Sequence, residues 1–150
     1  MSITRSFFRG CHCQCDLVVD EEPHNEVLDL VVDEEPHKSL CSLEALDLSH
    51  NRLTSVPIHL PRPLRQLTLQ HNSISQITAY IFGHLRPGLE SLRLSYNNLG
   101  DEGVQKVSFV GVYRSLAELL LDNNRLGEVP SSVWKFRKLL VLRLDYNQIR

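Results

Sequence analysis

Four cysteines stand near the start of the chain, at Cys11, Cys13, Cys15 and Cys41. Three chemistries are open to them: disulfide bonds, inert reduced thiols, or a metal site. Four cysteines allow three pairings, and spacing does not choose among them. Zinc would accept these thiolates with His12, His24 or His37. However, Cys-x-Cys-x-Cys lacks the two-residue gap of a zinc knuckle, and no second pair follows. The acidic triplets Asp20-Glu21-Glu22 and Asp33-Glu34-Glu35 are calcium-ligand types without the ordered spacing of a calcium loop. They read as solvated acidic faces. None of the seven histidines adjoins a Ser or Cys in a nucleophile motif, and no phosphate-binding glycine loop is present. The chain is expected to be non-enzymatic, with no catalytic residue, metal or cofactor.

The elements that would position any such group are set by an internal repeat. The frame Leu-x-x-Leu-x-Leu-x-x-Asn-x-Leu/Ile occurs five times, as LEALDLSHNRL from Leu43, LRQLTLQHNSI from Leu64, LESLRLSYNNL from Leu89, LAELLLDNNRL from Leu116 and LLVLRLDYNQI from Leu139. Every framed position is filled in all five copies, and the starts lie 21, 25, 27 and 23 residues apart. The Leu-x-Leu core has period two, so it predicts a short strand with one buried face. In the first copy Leu46 and Leu48 turn inward, while Ala45, Asp47 and Ser49 turn out. One such turn cannot bury its apolar face alone; stacked turns can. The fold predicted is an α/β repeat: a leucine-rich-repeat solenoid with short parallel strands on the concave face and irregular or short helical outer segments.

The Asn column of Asn51, Asn72, Asn97, Asn124 and Asn147 falls where the chain leaves the strand and its backbone groups face inward. An amide carries both donors and an acceptor, so these residues form a structural ladder. On the outer arc, Val56-Pro57 and Val129-Pro130 follow their Asn at equal offsets, and each Val is expected to turn inward. Residues 131–137 (SSVWKFR) predict one short helical turn, and Leu99-Gly100-Asp101-Glu102-Gly103 opens the longest repeat with a bulge.

Two regions follow. Residues 1–40 form an N-terminal cysteine-containing acidic arm, expected to be partly disordered. Residues 41–150 hold the five repeats, the last truncated and without a C-terminal cap. The net charge of −2 hides an asymmetry: nine acids against three bases in 1–40, and nine against thirteen in 41–150. The body therefore offers a polyanion weak attraction at most, and nothing suggests nucleic acid. The arm contains an exact duplication, DLVVDEEPH, at 16–24 and 29–37. Its Asp-Leu-Val-Val predicts a brief strand, and its Asp-Glu-Glu-Pro a turn. No apolar run approaches the ~20 residues of a membrane span. Residues 1–10 lack the apolar stretch of a secretion signal, so the literal start favours the cytosol. The literal end leaves Leu142, Leu144 and Ile149 partly uncovered, and the expectation is a fragment of a longer chain.

At this point the residues resemble a family. The mixed spacing is similar to that of the small leucine-rich proteoglycans of extracellular matrix. So is the stretch 94–130, LSYNNLGDEGVQKVSFVGVYRSLAELLLDNNRLGEVP, with Gly103, Phe109 and then Ser115 to Leu119 at comparable offsets. The resemblance covers about residues 41–150. It implies a secreted matrix protein binding collagen, other matrix proteins or cell surfaces. It also implies a disulfide cap built from Cys11, Cys13, Cys15 and Cys41, although 25 residues separate the last two. An intracellular leucine-rich-repeat adaptor is the alternative.

In such a solenoid, function falls to side chains the core does not use. The concave columns are Asp47, Thr68, Arg93, Leu120 and Arg143; then Ser49, Gln70, Ser95, Asp122 and Asp145; then His50, His71, Tyr96, Asn123 and Tyr146. The expected partner-binding set is Arg93, Tyr96, Leu120, Asp122, Val141, Arg143 and Tyr146, because exposed aromatics, Arg and a small apolar patch serve protein contacts. His50 and His71 should be neighbours on adjacent turns, as an ordinary surface pair or as a metal- or pH-responsive one.

Overall fold

A computed structural model of the protein describes residues 43–150 and the backbone of three short strands before them, Phe7–Arg9, Leu17–Asp20 and Asp29–Val32. Those three are β1, β2 and β3. The five repeat strands are β4 (Ala45–Asp47), β5 (Gln66–Thr68), β6 (Ser91–Arg93), β7 (Glu118–Leu120) and β8 (Val141–Arg143). They pair in parallel, in sequence order, with equivalent frame positions opposite one another: Leu46 faces Leu67, Leu67 faces Leu92, Leu92 faces Leu119 and Leu119 faces Leu142. The chain is thus a leucine-rich-repeat solenoid, as its frame predicts. A one-residue slip would turn the Leu set to solvent, so the repeated frame itself pins the register.

The core is one continuous column. Leu46, Leu48, Leu67, Leu69, Leu92, Leu94, Leu119 and Leu121 point inward from the strands and are buried. Phe82 and Phe109 fill the wider outer side of the two long turns, also fully buried. The outer segments hold no α-helix among the described residues. They are irregular, with 3-10 turns at Asp101–Gly103 and Ser131–Lys135. The second is the short helical turn expected after Pro130.

Val56 is buried, as expected, but Val129 is not: it is 37% exposed, while Pro130 beside it is buried. Ser55, beside Val56, bridges in parallel to Gln76 on the outer arc of the next turn. No described residues stack an outer arc over Val129, so equal offsets meet unequal cover.

Gly103 marks the closest approach of two outer arcs. A Cβ there would lie 1.9 Å from the Ser75 carbonyl oxygen, and the Gly103 carbonyl accepts the Ile77 N–H at 2.8 Å. Backbone, not a flexible side chain, would have to move. Gly103→Ala is expected to cost about 1–3 kcal/mol, read as a lower urea midpoint with an unchanged slope.

Copies of the arm's duplication pair with each other: β2 and β3 are antiparallel, with Leu17 opposite Val32 and Asp20 opposite Asp29. β1 runs antiparallel to β4 and covers the first edge of the repeat sheet. The four cysteines, the two acidic turns and the expected partial disorder of the arm lie outside the described residues.

Candidate functional site

The concave sheet presents the residues available to a partner. Each repeat strand ends in a left-handed residue: φ is 57° at His50, 55° at His71, 57° at Tyr96, 55° at Asn123 and 56° at Tyr146. Ladder hydrogen bonds continue through this column. His50, His71, Tyr96 and Asn123 donate their N–H to Gln70, Ser95, Asp122 and Asp145 of the next turn at 2.9–3.1 Å. The left-handed twist bends the chain off the strand and sets the following Asn inside the coil.

That Asn stitches two turns together. Asn72 Nδ2 donates to the Leu69 carbonyl of its own turn (3.0 Å) and the Leu48 carbonyl of the turn before (3.1 Å), while its Oδ1 accepts the Leu53 N–H (3.1 Å). Asn97, Asn124 and Asn147 repeat the pattern on Ile74, Leu99 and Leu126. Asn51 donates to the Leu48 carbonyl at 2.9 Å. The ladder completes backbone hydrogen bonding inside the coil.

The same left-handed column stacks its rings. His50 and His71 lie 4.4 Å apart, inclined by 10°; His71 and Tyr96 lie 4.3 Å apart, inclined by 11°. The expected histidine neighbours are therefore face to face, and Tyr96 joins them. Stacked faces turn the ring nitrogens along the sheet, not toward a common point between the two rings. Among the described residues no three His, Cys, Asp or Glu gather as metal ligands.

The members of the expected contact set fall into distinct environments. Tyr96 (50%), Val141 (43%) and Tyr146 (77%) are exposed, as are Arg93 and Arg143, with Leu120 half-buried between the two arginines. Asp122 differs from its expected solvent-facing place. It is buried, its Oδ1 accepting from the Ser95 hydroxyl at 2.5 Å and its Oδ2 from Asn123 Nδ2 at 3.0 Å. The inward curve of the sheet crowds this column, so a carboxylate that points out of its own strand is still covered by its neighbours. Tyr96, Asn123 and Tyr146, with the ladder asparagines as floor, line an open hollow of about 630 Å³.

Both arginines are already paired. Arg93 Nε donates to Glu118 Oε1 at 2.7 Å, and the same oxygen accepts from the Ser91 hydroxyl at 2.7 Å. Arg143 lies 3.1 Å from Asp145. Arg143 pairs within its own turn. The strand sequence shows these charges but not the pairing of Arg93 across turns; once register is known, a one-turn step with a small frame offset joins Arg93 to Glu118. Hydrogen bonds from Ser91 and then Arg93 hold the Glu118 carboxyl below its ordinary range. Because the folded pKa is depressed, the contribution is present above the unfolded carboxylate pKa and lost as pH falls through the folded value. Half-exposed pairs contribute about 1 kcal/mol or less. The unfolding temperature of wild type should therefore stand above that of Glu118→Gln at neutral pH, and the gap should close as pH falls below the ordinary glutamate value of about 4.3 and through the lowered folded one.

Fold and ladder together define the class, a leucine-rich-repeat protein with no helix among the described residues long and apolar enough to cross a membrane. Comparison with known proteins agrees. The family described as Leucine Rich repeat matches residues 39–56 and 89–108. Fibromodulin of Bos taurus is 35% identical over an alignment of 131 positions, covering 70% of this chain and 34% of fibromodulin. Podocan-like protein 1 of Homo sapiens is 40% identical, covering 84% of this chain and 24% of that protein. Lumican of Oryctolagus cuniculus is 42% identical, covering 59% of this chain and 44% of lumican. The chain thus spans less than half the length of each of these relatives.

Proposed function

We propose that the chain belongs to a non-enzymatic, secreted matrix protein of the small leucine-rich proteoglycan class, and that it binds other matrix or cell-surface proteins, collagen among them, through the concave face of its third to fifth turns. The observation that carries the reading is the exposed patch itself: Tyr96, Val141 and Tyr146 stand out of the sheet beside Arg93 and Arg143. Exposed aromatic and arginine side chains around a small apolar centre are what protein contacts use. Likeness to fibromodulin, podocan-like protein 1 and lumican supports the matrix setting. Within that class, segments 60–75 and 82–92 resemble extracellular matrix protein 2. The neutralised arginines argue against a polyanion on this face, since each guanidinium already has a carboxylate partner. In this setting Cys11, Cys13, Cys15 and Cys41 form a disulfide cap.

The test is co-sedimentation with fibrillar collagen. Arg93→Glu combined with Tyr146→Ala is expected to weaken binding by about tenfold or more, with the unfolding midpoint lowered only modestly, by loss of the half-exposed Arg93–Glu118 pair worth about 1 kcal/mol or less. Undiminished binding of the double variant would remove this face from the interaction. Thiol labelling of the native protein checks the setting separately: four reactive thiols would overturn the secreted reading.

A further inference from the structure

The ring ladder of the concave face has a gap. His50, His71 and Tyr96 stack at one ring per turn, 4.4 and 4.3 Å apart. The next turn places Asn123 at the equivalent position, and the turn after that restores a ring at Tyr146. Backbone conformation does not change across the gap, with φ at 57°, 55° and 56° for Tyr96, Asn123 and Tyr146. Tyr96 and Tyr146 therefore leave their strands in the same manner, two turns apart, and both line the same open hollow. Two ladder steps leave roughly 9 Å between successive ring positions. A planar group needs about 3.5–4.0 Å to each face. One planar group fits there, over the short Asn123 side chain that forms the base of the gap.

The surrounding charge selects which. In the strand columns of these turns stand Glu118, Asp122 and Asp145 against Arg93 and Arg143. Arg93 is held by Glu118 and Arg143 by Asp145. Asp122, beside the gap, is held by the neutral donors Ser95 and Asn123 and has no cation within 4.0 Å among the described residues. The hollow is thus lined by both tyrosines, and next to Asn123 lies the buried Asp122 carboxylate, with no countercharge in contact among the described residues. A guanidinium is planar, cationic and weakly hydrated, and it stacks on aromatic faces.

We infer that the gap at Asn123 is a receptor slot for an arginine side chain of a partner protein, clamped between Tyr96 and Tyr146 and attracted by Asp122. The slot rests on the protein-binding reading of the concave face and names the chemistry that face selects.

The experiment titrates the full chain with N-acetyl-arginine amide while following the Tyr96 and Tyr146 ring protons by NMR. Both sets are expected to move together and saturate. Asn123→Tyr, which places a ring in the gap at a backbone angle that Tyr96 and Tyr146 already adopt, is expected to abolish the shifts. The amides of citrulline (planar, neutral) and lysine (cationic, not planar) are expected to bind about fivefold more weakly. Movement of neither or only one tyrosine, shifts retained in Asn123→Tyr, or equal or tighter binding of citrulline or N-acetyl-phenylalanine amide would overturn the arginine slot. Collagen co-sedimentation of Asn123→Tyr separates the two proposals: collagen binding alongside a failed arginine titration sinks the slot and leaves the concave face as a protein-binding surface.

Discussion

Replacing Asn124 with alanine is expected to destabilise the solenoid by about 3 kcal/mol, a large share of the ~5–15 kcal/mol that holds a domain of this kind together. Asn124 Nδ2 donates to the Leu94 and Leu121 carbonyls at 3.0 Å each, and its Oδ1 accepts the Leu99 N–H at 3.0 Å. These contacts lie in the interior, and Asn124 itself is only 7% exposed. Alanine leaves the Leu99 N–H without a partner, at roughly 1–3 kcal/mol, and takes one of two amide donors from the Leu94 and Leu121 carbonyls, which keep Asn97 and Asn147, at about 0.5 kcal/mol each. Asn147 makes the same set of bonds to Leu121, Leu144 and Leu126, but it is half-buried, so water can replace the lost amide. Asn147→Ala should therefore cost about half as much or less. Urea unfolding of the two variants measures the difference. Equal losses would mean that the ladder acts through turn geometry, not through desolvated hydrogen bonds.

Phe109→Ala is expected to cost a similar amount, about 3–5 kcal/mol, by a different route. Phe109 is fully buried in the outer arc of the longest turn and meets Phe136 edge to face, with centroids 5.4 Å apart. Ser108 beside it is also buried, its hydroxyl donating to the Ile77 carbonyl at 3.1 Å and accepting the Gln105 N–H at 3.0 Å. This hydrogen-bonded collar ties the arc to the turn before, so it cannot collapse into the space a phenylalanine leaves. Phe136→Ala, at a half-buried site, should cost clearly less. A Phe109→Ala loss below about 1 kcal/mol would show that the arc does relax into the cavity.

The two variants probe opposite walls of one coil. Loss of Asn124 removes polar closure at the strand ends; loss of Phe109 removes apolar filling on the outer side. Asn124 belongs to the floor of the hollow that Tyr96 and Tyr146 line, whereas Phe109 is not among its lining residues. Collagen binding measured well below the unfolding midpoint should survive Phe109→Ala far better than it survives the Arg93→Glu, Tyr146→Ala pair.

The sequence alone determined the solenoid, its turn register, the inward leucines and the location of the Asn ladder. It could do so because each is a property of one frame repeated. Period two assigns the faces, and identical frames stacked in parallel admit one register without exposing leucine. Column membership followed as well, so His50 and His71 were legible as neighbours and Tyr96 and Tyr146 as residues of the open face. Tertiary structure alone decided what those neighbours do. The rings stack because a left-handed residue ends each strand, and a His, Tyr or Asn at that place does not announce its φ. Asp122 is buried because the sheet curves inward, while its position in the frame matches that of exposed Asp145. Val129 is exposed and Val56 buried at equal offsets because cover comes from the next turn, not from the residue's own. Gly103 is needed because two outer arcs of unequal length touch there. In each case the deciding quantity is a distance between turns, and a frame written along one chain does not contain it.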